Sequence, residues 1–154
     1  MNKKCVITGH TRGIGLSFYK HFAAKGWNVI GFNTTTGLDR VVAEAQGCDL
    51  FINNAYANGL QTSLFNQLHA SVKKMIVCGS IAARYPDSKM PAYSHHKKEL
   101  EDRVIDVANT RRAGQADILL LQLTSTSYAD DSRVLKFIDF WLDNTGIINV
   151  GFDI

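Results

Sequence analysis

The sequence predicts an α/β protein built on a mostly parallel sheet of about six strands. Three observations lead to this fold class. Short apolar runs alternate along the chain with segments of helical periodicity. A glycine-rich turn follows the first apolar run, and the run Ile118–Leu123 is almost entirely apolar, as expected for a parallel strand buried on both faces. The 154 residues are 45% hydrophobic and 20% charged, which excludes a disordered chain and suits one domain spanning residues 1–154.

The elements follow in order from apolar periodicity and turn residues. Strands are predicted at six apolar or β-rich runs: Cys5–Thr8, Asn28–Phe32, Asp49–Ile52, Met75–Cys78, Ile118–Leu123 and Ile147–Val150. The first helix follows from the spacing of Ile14, Phe18 and Phe22, and Gly26 stands where a helix ends. Further helices are predicted at Leu38–Gln46, Leu64–Val72, 92–109 and 132–143. Connections between parallel strands are right-handed.

Charge and cysteine usage exclude several classes of function. The net charge of +3 is small and dispersed, so no nucleic-acid partner is predicted. Cys5, Cys48 and Cys78 lie far apart in apolar contexts, which excludes a disulfide framework and a zinc site. Without a signal-like or membrane-spanning run, the sequence predicts a cytoplasmic protein with no membrane partner.

The turn after the first strand, residues 8–15 (TGHTRGIG), is the first candidate site. Glycines there permit a tight turn and let the backbone approach a pyrophosphate closely. The helix that follows adds free N–H groups and the positive end of its dipole. A glycine-rich turn alone is weak evidence, and a plain tight turn is the alternative. The strand–loop–helix context favours a dinucleotide site.

Four motifs in register resemble those of the short-chain dehydrogenase/reductase family. The glycine loop Thr8-Gly9-x-x-x-Gly13-Ile14-Gly15 resembles the family's cofactor loop, and Asn53-Asn54-Ala55 resembles its Asn-Asn-Ala-Gly element. Ser80 follows the fourth strand, and Tyr93 and Lys97 form a Tyr-x-x-x-Lys pair 13 positions later, since 93 − 80 = 13. The resemblance covers about residues 1–125 and implies a Rossmann-like three-layer fold, in a shortened form.

The resemblance also implies the roles of individual residues. Ser80, Tyr93 and Lys97 are the expected catalytic residues, with Tyr93 as general acid or base. Tyrosine and lysine four apart share a helix face, and a nearby ammonium favours the phenolate that proton donation leaves. The expected cofactor-binding residues are Gly9, Arg12, Gly13, Ile14, Gly15, Asn33, Asn53, Ala55, Tyr93 and Lys97. For Tyr93 and Lys97 taken alone, a solvated helix face is the alternative.

The end of the second strand favours NADP(H) over NAD(H). NAD sites of this kind place an acid there for the ribose 2′-hydroxyl, but this chain has no acid before Asp39. Arg12 lies in the loop, where it is able to meet a 2′-phosphate; a solvated arginine is the alternative. The sequence thus predicts an NADP(H)-dependent oxidoreductase acting on a small-molecule carbonyl or alcohol.

The chain departs from the family pattern in places that bear on this prediction. The helix between Asn53 and Ser80 is too short to present the family's fourth catalytic residue, an asparagine, and Asn66 is a weak replacement. Tyr56 replaces the usual glycine and is expected to narrow the pocket or to stack on the cofactor. Thr126 is a weak candidate for a nicotinamide contact. These departures leave open a non-catalytic NADP(H)-binding regulatory or sensor module.

The last predicted helix is apolar on most sides, which predicts burial on most sides. Two explanations are open: a homo-oligomer, dimer or tetramer, or an internal core helix. A structural subunit of a larger assembly is a third reading of the chain and rests on this helix alone.

Overall fold

A computed structural model describes residues 2–124, 131–144 and 148–152. Its centre is a six-stranded sheet in which every neighbouring pair is parallel. The strands are β1 (Lys4–Thr8), β2 (Asn28–Phe32), β3 (Leu50–Asn53), β4 (Lys74–Ser80), β5 (Asp117–Leu123) and β6 (Ile148–Phe152), in the order β2-β1-β3-β4-β5-β6. The predicted fold class and the predicted number of strands are confirmed.

Five helices connect the strands: α1 (Gly13–Ala24), α2 (Leu38–Ala45), α3 (Leu60–Leu68), α4 (Pro91–Asn109) and α5 (Asp131–Leu142). A short 3₁₀ turn (Ile81–Ala83) follows β4. Helix α3 begins earlier than the predicted Leu64, directly after Gly59, whose φ of 80° only glycine adopts without strain. The buried polar residue Gln61 in its first turn hides the helical period from a purely apolar pattern.

The sheet separates two hydrophobic cores. Alternate residues of each strand point to opposite faces, so Val6 and Phe51 lie in one core while Cys5 and Ile52 lie in the other. Helices α2, α3 and α4 cover the first face, and α1 and α5 cover the second. Because the central strands are apolar along nearly their whole length, both faces of the sheet have to be covered by helices, and this gives the three layers.

The strand order creates a crevice along the side of the sheet where the strands have their carboxyl ends. From β1 the chain passes through α1 to β2, and from β2 it passes through α2, on the opposite face, to β3 on the other side of β1. Ligands of open α/β sheets bind outside the carboxyl ends of strands at such a reversal. The ends of β1 and β3 therefore mark the expected site.

The three cysteines are buried thiols. Burial raises the pKa of Cys48 to about 11 and that of Cys78 to about 12, so both stay protonated and unreactive at neutral pH.

In the described residues no cluster of histidine, cysteine and carboxylate side chains is arranged to hold a metal ion. Nor does that part of the chain contain a helix with the length and apolar character to cross a membrane. The cytoplasmic location stays a prediction.

Helix α5 buries one face only. Val134, Ile138 and Trp141 are buried in the core, whereas Phe140 is 62% exposed. The prediction that this helix is buried on most sides is therefore wrong for the single chain, because the face of the sheet covers only one side of the helix.

Candidate active site

The glycine loop folds tightly between β1 and α1. Gly9 has a φ of +73°, and its N–H donates to the carbonyl of Phe32 at 2.7 Å, which joins the loop to the end of β2. A Cβ on Gly15 would lie 1.9 Å from the carbonyl oxygen of Gly9. Only glycine at position 15 lets α1 pack this closely against the loop.

A cleft of about 590 Å³ opens at the start of α1. Its walls come from the glycine loop, the segment after β2 and the segment after β3: Gly9, Thr11, Arg12, Gly13, Ile14, Gly15, Asn33, Thr34, Asn54, Ala55 and Tyr56. The helix start has no side-chain cap and no acidic residue in its first turn. A Cβ on Gly13 would meet no atom within 4 Å, so the backbone there borders open space. These features fit a pyrophosphate held by helix N–H groups.

The rim of the cleft beyond β2 carries no carboxylate among its lining residues. Asn33 forms a local turn in which its Oδ1 accepts from the backbone N–H of Thr35 at 3.1 Å and from its hydroxyl at 2.6 Å. Arg12, in the glycine loop, is exposed and lines the same cleft. The first acidic residue after β2, Asp39, lies in the first turn of α2.

Thr8 and Asn54 fasten the end of β3 to the glycine loop. The Thr8 hydroxyl oxygen accepts from the backbone N–H groups of Asn54 and Ala55, both at 3.1 Å. The Asn54 amide donates to the carbonyls of Thr8 at 3.2 Å and Gly9 at 3.0 Å. This network fixes the wall of the cleft at the point where the strand order reverses.

A smaller pocket of about 140 Å³ lies at the carboxyl ends of β4 and β5, next to the cleft. Its lining residues are Asn54, Tyr56, Cys78, Gly79, Ser80, Tyr93, Lys97, Leu123 and Thr124. Ser80 is buried, and its Oγ accepts from the backbone N–H of Ala82 at 3.1 Å, which leaves its own hydrogen free to donate. The Thr124 hydroxyl is buried and has no hydrogen-bond partner within the described ranges.

Lys97 enters this pocket from α4. Its Nζ lies 5.5 Å from the centroid of the Tyr93 ring, one helical turn away. The side chain is only 4% exposed, and the ammonium donates to Oε1 of Gln61 at 2.7 Å and to the carbonyl of Cys78 at 2.8 Å. Burial lowers the pKa of Lys97 to about 8. The solvated-helix alternative for this lysine is excluded by its burial.

Tyr56 lines both cavities and stands where they join. Its ring meets that of Tyr93 edge to face, with the centroids 4.8 Å apart. Its hydroxyl is hydrogen-bonded to Nδ1 of His96 at 3.0 Å. The predicted narrowing of the pocket at this position agrees with the geometry.

Known structures share this architecture. A short-chain dehydrogenase from Streptomyces avermitilis has a TM-score of 0.79 at 14% identity, over 99% of this chain and 89% of that one. The 3-alpha-hydroxysteroid dehydrogenase from Pseudomonas sp. B-0831, complexed with NADH, has a TM-score of 0.73 at 18% identity, over 97% and 95% of the two chains. A short-chain dehydrogenase/reductase family oxidoreductase from Brucella ovis, in complex with a partially ordered NAD, has a TM-score of 0.69 at 18% identity, over 99% and 100%. The chain has the short-chain dehydrogenase/reductase fold. No protein-family model and no curated protein matches the sequence.

Most of the residues predicted from the short-chain dehydrogenase/reductase resemblance line one of the two cavities. Ser80, Tyr93 and Lys97 share the smaller pocket, and Gly9, Arg12, Gly13, Ile14, Gly15, Asn33 and Ala55 line the cleft. Asn53 does not: it is fully buried, and its Nδ2 donates to the backbone carbonyl of Gln61 at 2.8 Å. Asn54 lines both cavities instead, because successive residues at the end of a strand point to opposite sides.

Two further residues on the short-chain dehydrogenase/reductase scaffold bear on the predictions. Asn66 is exposed on α3 and accepts from Nε of Arg103 at 2.6 Å, so it is the solvated surface residue and not a site residue. Thr126 lies outside the described residues. Sequence reasoning missed Gln61 and Thr124, and the one available indication for Gln61 was a polar residue at a position that continues the apolar spacing to Leu64 and Leu68.

Proposed function

We propose that this protein is an oxidoreductase of the short-chain dehydrogenase/reductase family that transfers hydride between NADP(H) and a small-molecule carbonyl or alcohol. The observation that carries the proposal is that Ser80, Tyr93 and Lys97 line one pocket, directly beside the cleft at the glycine loop. Asn54 and Tyr56 belong to both cavities, so a ligand extended along the cleft reaches the pocket. The similar structures complexed with NADH and NAD support a nicotinamide cofactor.

In this proposal each pocket residue has one task in the reduction of a carbonyl. Tyr93 donates a proton to the carbonyl oxygen. Ser80 donates a hydrogen bond to the same oxygen, since its Oγ accepts from Ala82 and its hydrogen is free. Lys97 stabilises the phenolate that Tyr93 leaves. A bound nicotinamide supplies the hydride, or accepts it when an alcohol is oxidised.

The preference for NADP(H) rests on the charge around the cleft. Arg12 is exposed at the glycine loop, and no carboxylate lines the opening near the end of β2. A guanidinium recognises a 2′-phosphate, whereas NAD recognition needs an acceptor for the ribose hydroxyl. Arg12→Ala is expected to weaken NADPH binding about 10-fold or more while leaving NADH binding nearly unchanged, as measured by titration of nicotinamide fluorescence.

The experiment that tests the activity combines cofactor titration with a panel of small ketones and aldehydes. Oxidation of NADPH that depends on a carbonyl compound and disappears in Tyr93→Phe is the expected result. Tyr85→Phe is the matched control, because Tyr85 is 76% exposed and lies outside both cavities. If neither nucleotide binds, the proposed function is wrong.

One observation favours the second candidate, an NADP(H)-binding regulatory or sensor module. Tyr56 stands between the cleft and the pocket, and the pocket itself measures only about 140 Å³. Tight NADPH binding without turnover on any carbonyl, in the wild type and in Tyr56→Ala alike, would favour this module over the enzyme.

The exposed face of α5 supports self-association. Phe140 is 62% exposed on a helix whose other apolar residues are buried or half-buried. We therefore include a homo-oligomer in the proposal. Sedimentation of the wild type and of Phe140→Ser tests it. We expect the wild type to sediment as an oligomer and the variant as a monomer. A wild type that is itself monomeric would contradict the proposed association.

A further inference from the structure

Gln61 lies in the first turn of α3, behind the pocket, with a side chain that is only 4% exposed. Each polar atom of its amide has a partner. Nε2 donates to the carbonyls of Asn53 at 2.9 Å and Cys78 at 3.0 Å, and Oε1 accepts from Nζ of Lys97 at 2.7 Å. A buried glutamine with a complete set of partners defines one orientation of its side chain.

The orientation of the amide follows from its neighbours. If it were reversed, its NH₂ group would face the Lys97 ammonium and its oxygen would face two carbonyls. Both donors of Nε2 are used by carbonyls at the ends of β3 and β4, so the oxygen necessarily points to Lys97. The backbone of Gln61 is held as well, because its carbonyl accepts from Nδ2 of Asn53 at 2.8 Å. Gln61 thus connects the ends of two central strands to the ammonium.

No carboxylate forms an ion pair with Lys97 within residues 2–124 and 131–144. The titratable groups that face it are Cys78 of β4, whose thiol stays protonated, and the rings of Tyr93 and Tyr56, at 5.5 and 6.0 Å from Nζ. Glu101, one helical turn along α4 from Lys97, is paired with Arg84, and Glu99 is exposed. Gln61 is therefore the side-chain acceptor that stabilises the ammonium at this buried position.

We propose that Gln61 is the positioning residue for Lys97: its amide oxygen keeps the ammonium charged and directed into the pocket that contains Tyr93. The role in catalysis rests on the proposed function. The hydrogen bond itself does not, so the two are tested separately. With Gln61 and the Cys78 carbonyl taking two of its hydrogens, the ammonium retains a third for a ligand.

The test is the ionisation of Lys97, followed by NMR of the purified protein carrying [ε-¹³C]lysine, with the signal assigned through Lys97→Arg. Gln61→Met removes the acceptor at nearly constant volume and is expected to lower the titration midpoint by about one pH unit. Gln61→Glu places a carboxylate there and is expected to raise the midpoint by at least as much. Gln67→Met is the matched control, since Gln67 is exposed on the same helix, and it leaves the midpoint unchanged. Equal midpoints in wild type, Gln61→Met and Gln61→Glu would overturn the proposal.

A measurement on the wild type covers the case in which the variants do not fold. The side-chain amide signals of Gln61 shift with the midpoint of Lys97 if the two groups are bonded, and a signal that ignores that titration overturns the proposal. In turnover assays, the alkaline limb of kcat/KM moves in the same direction as the NMR midpoint in each variant. Absence of turnover in the wild type contradicts the proposed function but leaves the NMR result intact.

Discussion

Tyr56 and Tyr93 form an edge-to-face pair, with their ring centroids 4.8 Å apart and their planes at 72°. Tyr93 carries the hydroxyl that we assign to proton transfer, and Tyr56 stands at the junction of the cleft and the pocket. The Tyr56 hydroxyl is hydrogen-bonded at 3.0 Å to Nδ1 of His96, which lies one turn along α4 from Tyr93. Judged by the family resemblance alone, Tyr56 is a departure from the Asn-Asn-Ala-Gly motif. In the structure it forms part of the pocket wall.

Replacing Tyr56 is expected to change substrate selection. Tyr56→Ala removes a ring from a pocket of about 140 Å³, so bulky ketones gain access. We expect the ratio of kcat/KM for a bulky ketone to that for a small one to rise about 10-fold or more. Tyr56→Phe keeps the ring, loses only the bond to His96, and retains the wild-type ratio. Equal ratios in all three proteins would show that Tyr56 does not limit access.

Enlarging Gly15 is expected to open the cofactor cleft. In Gly15→Ala the new methyl group would lie 1.9 Å from the Gly9 carbonyl oxygen, which is backbone and cannot move without the loop. We expect a loss of about 1–3 kcal/mol in the free energy of unfolding and at least 10-fold weaker NADPH binding. Denaturant unfolding and fluorescence titration measure the two effects.

The control for this variant is Gly37→Ala. Gly37 has an ordinary φ of −60°, and a Cβ there meets nothing within 4 Å. Its stability is expected to stay within about 1 kcal/mol of the wild type, with unchanged NADPH binding. If both variants lose NADPH binding equally, close packing at Gly15 is not the cause.

The order of strands and helices was predictable because each central strand is a short apolar run and each helix has an apolar period. Helix α3 shows where this reasoning fails. Its buried face includes Gln61, whose amide forms hydrogen bonds to the ends of β3 and β4. An apolar period does not reveal a buried polar residue of this kind, because its partners are distant in sequence. The start of the helix was therefore predicted too late.

The candidate site was predictable where backbone chemistry dictates the residue type. Gly9 is required by a left-handed turn and Gly15 by close packing, and both requirements can be recognised in the sequence as glycines at these positions. The choice between Asn53 and Asn54 was not predictable, because it depends on which residue at the end of β3 faces the cleft. The burial of Lys97 was equally hidden, since it results from packing of α4 against β4 and α3.

Asp49 is expected to make stability depend on pH in acid. Its carboxylate accepts from the backbone N–H of Lys4 at 2.8 Å and from Nζ of Lys73 at 2.6 Å, and these bonds, that from Lys73 foremost, lower the pKa of Asp49 below 3.8. Its contribution is complete above about pH 3.8 and is lost as the pH falls through the lower pKa of the folded state. The difference in Tm between wild type and Asp49→Asn should thus be largest near neutral pH and shrink steadily as the pH falls below 3.8. A difference independent of pH would contradict this assignment.

Lys97 is expected to make stability rise with pH on the alkaline side. Burial lowers its pKa to about 8 from 10.5, so between these values the unfolded chain binds more protons than the folded one. The free energy of unfolding therefore increases as the pH rises from about 8 to 10.5, by up to about 3 kcal/mol from this group. Because the buried thiols titrate in the opposite sense at alkaline pH, the comparison is with Lys97→Met, which keeps those thiols. The difference in unfolding free energy between wild type and Lys97→Met, measured in urea at pH 7, 8, 9 and 10, should shift in favour of the wild type at each step above about pH 8. A difference that stays constant over this range would mean that Lys97 keeps an ordinary pKa and that its ammonium is not desolvated in the pocket.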